Sequence, residues 1–354
     1  MSTAEMPIHR REFLKASAQS VAALAALGQH SLRADGARGS TRISYYKNGE
    51  IFVTVPGQPE GKPLTTGHMD YKPSWSKHGD LLVCFRKLVD DPVTAKWKTA
   101  IFIMGADGSG FHTLSDGTRT DFNPTWSRDG SNTPVWSRKN DATGGYFVMR
   151  SKVGGKPGEE VALTDARLHT WAHSCLVDGR ILVNSAHPQY GFGVFLLSAG
   201  KDGAARYERV ECELTTRGQL HRASISPDEK RICFEFLPGA KFQEPGHTLY
   251  HADFDAQRRT ITNLKAFANA AGKQQWFAYP RWINGTSEIV FHSSESGKNQ
   301  LYVHRLDDGS CEVRARRAPR DPDDRAPGVR VPVRGAQTGE GGHELALVWS
   351  VHPA

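Results

Sequence analysis

One figure recurs along this chain at intervals of about fifty residues, and it leaves few architectures open. Tyr71-Lys72-Pro73-Ser74-Trp75-Ser76-Lys77-His78-Gly79-Asp80 precedes the apolar run 81–85. Phe122-Asn123-Pro124-Thr125-Trp126-Ser127-Arg128-Asp129-Gly130 repeats it. Looser copies follow at His173-Ser174-Cys175-Leu176-Val177-Asp178-Gly179, Ala223-Ser224-Ile225-Ser226-Pro227-Asp228-Glu229 and Tyr279-Pro280-Arg281-Trp282-Ile283-Asn284-Gly285. Each unit reads as a short strand, a tight Asp/Gly turn and a second strand, then a third and fourth strand around another turn. Third strands are predicted over 100–104, 146–150, 193–198, 248–252 and 300–305. Four antiparallel strands per unit is the arithmetic of a β-propeller blade.

Five units occupy residues 69–316. Ahead of them, 42–47, 51–55 and 62–66 supply three strands without a first; behind them, 345–351 supplies a lone strand. The fold class is therefore all-β: a six-bladed propeller of four-stranded antiparallel blades, closed by strands from both termini. Closure removes the free sheet edges that an open array would expose. Seven blades is the alternative, with the seventh degraded within 317–344. Trp75, Trp126 and Trp282, one per unit, are core residues packed between blades.

The Pro-Ser/Thr-Trp-Ser-x-Asp-Gly repeats resemble the exported TolB-like propellers, of the WD type in their repeat. The resemblance spans nearly the whole chain after residue 41 and implies a fold more than a function, since this scaffold hosts several. It implies a periplasmic or secreted location and an envelope protein as one class of partner.

The N-terminus carries the matching address. His9-Arg10-Arg11-Glu12-Phe13-Leu14-Lys15 is followed by the small and apolar run 16–28, and Ala34-Asp35-Gly36 offers a cleavage site. This resembles a twin-arginine signal peptide over 1–36, which implies handling by the twin-arginine export machinery and leaves 41–354 as one propeller domain. No interior stretch approaches the ~18 consecutive apolar residues of a membrane span. No anchor is expected once the signal is removed.

The formal charge of +7 is less informative than its placement. Residues 314–334 hold seven arginines against three aspartates, in a Pro/Arg-rich segment whose 317–344 portion reads as a solvated loop. No basic helix or aromatic–basic platform argues for nucleic acid. Cys84, Cys175, Cys212, Cys233 and Cys311 have no CxxC spacing, which excludes a zinc ribbon or a dense disulfide framework.

Chemistry is expected at the channel mouth formed by the loops leading into the innermost strands and those joining second to third strands. The lead-ins bring His68, Asp70, Tyr71 and Lys72; Arg119 and Asp121; His169, Trp171 and His173; Gln219, His221 and Arg222; and Trp276, Tyr279 and Arg281. The other loops bring Arg86, Arg138, His187, Gln189, Tyr190, Lys241, Glu244 and His247. Imidazoles concentrate on blades three and four, where structural turns would use Gly, Asp, Asn or Ser.

Two readings follow. In the first, the mouth binds an anionic carbohydrate or a protein segment through Arg86, Arg138, Arg222 and Arg281, with His169, Trp171 and Tyr279 supplying stacking and polar contacts. In the second it is a polysaccharide lyase acting on uronic-acid chains. His173, His187, Tyr190 and His221 would then be the acid–base set, and Arg222 or a divalent metal (Mn, Ca or Zn) on His221 and His247 would neutralise the uronate. The stretch Leu220-His221-Arg222-Ala223-Ser224-Ile225-Ser226-Pro227 is similar to the His-containing blade of oligogalacturonate-lyase-type propellers, which implies that metal. Tyr279 stands where a further ligand histidine would be expected. No HExxH, Walker loop or nucleophile elbow is present, and 105–110 is a hairpin turn.

Overall fold

A computed structural model of the chain describes residues 42–55, 61–91, 96–200, 203–239, 247–269, 277–283, 287–295, 300–313 and 347–352. The signal-like segment, the 317–344 segment, and Lys241, Glu244 and Trp276 lie outside the described residues.

Six four-stranded antiparallel sheets make up the body, with strands paired in chain order within each of blades 1 to 5. Blade 1 contains Asp70–Trp75, Leu81–Asp91, Lys96–Gly105 and His112–Thr113, and blade 2 contains Asp121–Trp126, Pro134–Lys139, Tyr146–Arg150 and Val161–Ala162. Blade 3 is Thr170–Cys175, Ile181–His187, Gly191–Ala199 and Ala205–Arg209, and blade 4 is Gly218–Ile225, Arg231–Pro238, Thr248–Asp255 and Thr260–Asn269. Blade 5 is Phe277–Trp282, Glu288–Ser293, Gln300–Arg305 and Cys311–Val313. Blade 6 joins both ends of the chain, with Leu347–His352 innermost, then Arg42–Lys47, Glu50–Thr54 and Lys62–Pro63. The propeller is therefore six-bladed. Among the described residues its only helix is a single 3-10 turn, Glu213–Thr216.

The middle strands are apolar almost without interruption because each blade is covered on both faces by its neighbours. Ala100, Ile101, Phe102, Ile103 and Met104 are all at 0% exposure. Alternate residues of this run feed two different cores. Ile101 and Ile103 join Trp126 and Trp136 of blade 2, while Phe102 and Met104 join Tyr46 and Ile51 of blade 6. The three repeat tryptophans are buried between blades, as expected. Trp126 and Trp282 also donate their indole N–H to the backbone oxygens of Ser74 and Ser224, 2.8 and 2.9 Å away on the preceding blade. All five cysteines are free, and four are buried. The 105–110 stretch is a hairpin turn closed by Gly105 N to Ser109 O at 2.7 Å.

Candidate functional site

The innermost strands are not regular. In every blade the pairing skips one residue: between Tyr71 and Ser74, Phe122 and Thr125, Ala172 and Ser174, His221 and Ser224, Ala278 and Arg281, and on the closing strand opposite Ser44 and Tyr45. Such bulges re-aim side chains. In four blades the bulge holds a non-glycine residue in left-handed backbone: Lys72 (φ 54°), Asn123 (51°), Arg222 (47°) and Tyr279 (58°). In blade 3 Ala172 is buried at this level, and its neighbour His173 is the partly open residue. Left-handed backbone at such residues costs about 1–3 kcal/mol each and concentrates where function requires it.

The re-aimed side chains meet across the ring. Lys72 donates from Nζ to Asn123 Oδ1, and its ammonium lies 5.6 Å from the Tyr279 ring centre, on a blade that is not its neighbour. The Arg222 guanidinium stacks on the same ring at 4.1 Å. Arg222 Nη1 donates to Glu235 Oε2, while the Tyr279 backbone N–H donates to Glu235 Oε1 at 2.6 Å. Arg281 Nη1 donates to the backbone oxygens of Arg222 and Pro280 at 2.8 and 2.9 Å. Lys72, Arg222 and Arg281 thus crowd one stretch of channel, and among the described residues Glu235, at 0% exposure, is the carboxylate that faces them. Burial, then the fields of Arg222 and Arg281, push the Lys72 ammonium well below the ordinary lysine range. Burial likewise lowers Arg281, with Arg222 adding to it.

Beside the cations stand the imidazoles of blades 3 and 4. Burial holds His221 down at about 2, helped by His173, Arg222 and His247. Burial holds His173 at about 3, with Arg281 and Arg222 adding to it against a pull from Asn184. Both rings are neutral near neutral pH. His221 Nε2 shares a 2.9 Å hydrogen bond with Gln219 Oε1, and His247 Nδ1 lies 3.6 Å from Glu235 Oε2. Above them is an aromatic group centred on Trp171. Its ring centre is 4.7 Å from His169, 5.6 Å from His221, 5.7 Å from Phe192 and 6.5 Å from His173. Phe192 is 37% exposed, so this group opens to solvent on one side.

The expected site residues therefore divide. His169, Trp171, His173, His221, Arg222, His247, Tyr279 and Arg281 lie in one continuous patch around the channel. His187 and Tyr190 lie elsewhere. They stack on each other at 4.9 Å, and His187 packs toward Tyr207 at 5.2 Å. His187 also lines a separate cavity of about 760 Å³ with Thr164, Asp165, Leu168, Gln189 and Tyr207. The cause is strand alternation. Asn184 donates to Leu220 O of blade 4, whereas Ser185 pairs with Thr170 and Val183 packs against Val135 and Val148 of blade 2. His187, in phase with Ser185, follows the blade 2 side.

Arg86 and Arg138 are also placed differently from the loop position expected. Their strands run on past the expected ends, and each arginine pairs in register with the first residue of its inner strand. Arg86 makes a two-pronged bridge to Asp70 at 2.6 and 2.8 Å, both side chains buried. Arg138 does the same to Asp121 at 2.7 and 2.9 Å and reaches Glu160 at 2.9 Å. These bridges staple first to second strands. Among the described residues no group of three or more His, Cys, Asp or Glu side chains is arranged to hold a metal, so His221 and His247 lack a third donor there. Lys72, expected at the mouth but given no role there, joins the patch, and so do Glu235 and Tyr46, which were not expected from the sequence. Tyr46 comes from blade 6 and lies in hydrogen-bonding reach of Tyr279, its hydroxyl pKa raised by burial and then by that neighbour.

The molecule is thus a six-bladed ring with buried cations clustered at the inner strands beside an aromatic group. Solved structures share this ring. TolB from Acinetobacter baumannii superposes at a TM-score of 0.54 with 13% identity, over 85% of this chain and 71% of that one. A TolB structure from Agrobacterium tumefaciens gives 0.53 and 16%, over 78% and 89%. Hydrazine synthase of Kuenenia stuttgartiensis gives 0.59 and 14%, over 79% of this chain but only 45% of its own. At these identities the likeness is one of fold. No family model and no curated protein matches the chain.

Proposed function

We propose that this protein is an exported TolB-like propeller that binds an acidic oligosaccharide at the upper mouth of its channel. The observation that carries the reading is the gathering of Lys72 and Arg222 on the Tyr279 ring, with Arg281 bonded to the Arg222 backbone, beside the Trp171 aromatic group. Carboxylated sugars need both halves: cations with fixed direction for the carboxylate, and a flat apolar face for the ring. Arg222 and Arg281 supply the first, and Trp171 with His169 and Phe192 the second.

β-Elimination is the less supported chemistry. It needs a base and an acid flanking one carbon, and His187 and Tyr190 are turned away from His173 and His221. Two imidazoles with values near 3 and 2 are also weak bases.

Calorimetric titration with tetragalacturonate against a neutral tetrasaccharide tests the binding. The expected outcome is binding of the acidic ligand alone, weakened about tenfold or more by Trp171→Ala and by Arg222→Gln with the fold retained. Equal binding of the neutral sugar, or none of either, overturns it. The export half rests on Arg10 and Arg11. Replacing both by lysine should hold the chain in the cytoplasm on fractionation, and unchanged export would overturn that half.

A further inference from the structure

We infer that the upper rim of blade 2 is a second carboxylate subsite, so that the acidic ligand lies across the mouth and is held at two of its sugars. This rests on the reading of the mouth as an acidic-sugar site. It adds a point of attachment outside the channel, and with it a preference for a chain of several uronate units.

The rim gathers charge from three separate segments. Lys98 comes from near the start of the third strand of blade 1, and Arg119 from the lead-in to blade 2. Lys139 ends the second strand of blade 2, and Asp141 lies in the turn beyond it. Lys98 Nζ donates to Asp141 Oδ2 at 2.9 Å, and Arg119 Nη1 lies 3.6 Å from the same oxygen. The Lys98 hydrogen bond first, and then the fields of Lys98, Arg119 and Lys139, hold the Asp141 carboxyl below the usual carboxylate range. Three cations thus share one carboxylate. Unlike the buried channel cations they meet water: the Arg119 side chain is 54% exposed and that of Lys98 28%. A ligand carboxylate can reach them from solvent with no rearrangement of the inner strands.

The backbone that carries these charges is tied down. The Lys139 N–H donates to Thr120 O at 2.8 Å and the Thr99 N–H to Arg119 O at 2.9 Å, which joins the lead-in of blade 2 to its own second strand and to blade 1. The turn 140–145 is closed by Asn140 N to Gly145 O and by Gly144 N to Asn140 O, both at 2.8 Å. Asn140 Nδ2 also donates to Ala166 O, in the lead-in to blade 3, at 2.8 Å. A rim fixed to both neighbouring blades needs little ordering of its backbone when a ligand arrives.

A line of rings connects this rim to the first attachment point. Lys139 stands opposite Tyr146 in the register of the second and third strands, so the two side chains are neighbours on one face of the sheet. The Tyr146 ring centre is 5.0 Å from His169 and 6.1 Å from Trp171. Trp171 in turn is 5.6 Å from His221, which precedes Arg222 in the chain. Tyr146 and His169 are partly exposed, as is Phe192 at the far side of Trp171. Rings in the middle and cations at both ends match a polymer that carries a carboxylate on every sugar. A single uronate, or a bare anion, would engage one end only.

The test is affinity against chain length. Di- and tetragalacturonate are titrated calorimetrically into the full-length protein at about 0.05 and about 0.5 M salt. The wild type should bind the tetramer about tenfold more tightly than the dimer at low salt. That advantage should shrink at high salt, because exposed charges are screened. The double variant Arg119→Gln with Lys139→Gln should cut it to about twofold or less, weakening the dimer far less than the tetramer, at a melting temperature close to that of the wild type. Should the double variant not fold, Arg119→Gln alone is expected to remove part of the advantage. Equal wild-type affinity for both lengths, or an advantage that survives the double variant, overturns the rim subsite while leaving acidic-sugar binding intact. Equal weakening of both lengths also overturns it, because the rim would then belong to the first attachment point. No binding at either length overturns the underlying reading as well.

Discussion

The histidines beside Arg222 make this fold sensitive to mild acid. Burial first, and then neighbouring positive charge, holds His173 at about 3 and His221 at about 2. The ordinary histidine value, near 6.5, applies in the unfolded chain. Their folded values are depressed, so the stability they contribute is fully present above about pH 6.5. It is lost as pH falls, because the unfolded chain takes up protons that the native site refuses. The loss approaches about 1.4 kcal/mol per pH unit for each group. Urea midpoints should therefore decline between about pH 6.5 and pH 5, above the range where ordinary carboxylates titrate. His221→Asn should remove about one proton's share of that slope. An unchanged slope in the variant would mean that His221 is protonated in the native protein. At this scale the sequence was partly legible. Imidazoles clustering on blades 3 and 4 were visible in the repeats, and the structure does gather His169, His173, His221 and His247. Glu235 carries a signal of its own: a lone carboxylate inside Arg231-Ile232-Cys233-Phe234-Glu235-Phe236 has to answer a buried cation. Asp70 with Arg86 and Asp121 with Arg138 repeat nearly the same separation in successive units. That pattern reads as a strand-to-strand staple once the register is known, and as two loop arginines when it is not.

Among the elements, the inner strand decides what reaches the channel. Its boundaries were readable because Pro-Ser/Thr-Trp and the Asp/Gly turn punctuate each unit, and 146–150 and 300–305 are strands as expected. Its bulge was not. Left-handed backbone favours glycine and, after it, asparagine, yet only Asn123 of the four bulge positions is of such a type, and Lys72, Arg222 and Tyr279 announce no such conformation. Proline or alanine follows each of them, which fits a point where ladder pairing is interrupted. That regularity identifies the position only after the skipped pairings are seen. The same irregularity explains why His187 and Tyr190 could not be separated from His173 by sequence. Loop adjacency places all three near one mouth, whereas alternation along Ile181–His187 sends its odd-numbered residues toward blade 2. Elements here move side chains by a whole blade face with one residue of phase.

At the scale of the molecule, the ring depends on a strand that arrives last. Leu347–His352 pairs with Arg42–Lys47 through Ile43 with Val351, Ser44 with Ser350 and Tyr46 with Leu347. It also lies beside the inner strands of blades 1 and 5. The other contacts of blade 6 depend on its staying in place. Ile43 and Tyr45 share a core with Ile283, Val290 and Val303 of blade 5, and Arg42 stacks over Trp75 at 4.7 Å and donates to Gly79 O of blade 1 at 2.7 Å. Truncation before Leu347 would leave the hydrogen-bonding edge of Arg42–Lys47 open and remove the innermost wall between blades 1 and 5. A closed ring distributes that loss. Tyr46 and Ile51 belong to the core that holds Trp75, and Tyr46 lies against Tyr279. Loosening blade 6 should therefore disturb the cation cluster, whose Lys72, Tyr279 and Arg281 stand on the two blades that flank it. The truncated chain is expected to melt at least about 10 °C lower, the consequence of several kcal/mol in a domain this size. It should also self-associate through the freed edge and bind tetragalacturonate more weakly even where it remains folded. A truncated protein with the native melting temperature and native affinity would show that five blades and the three remaining strands of the sixth hold the channel by themselves.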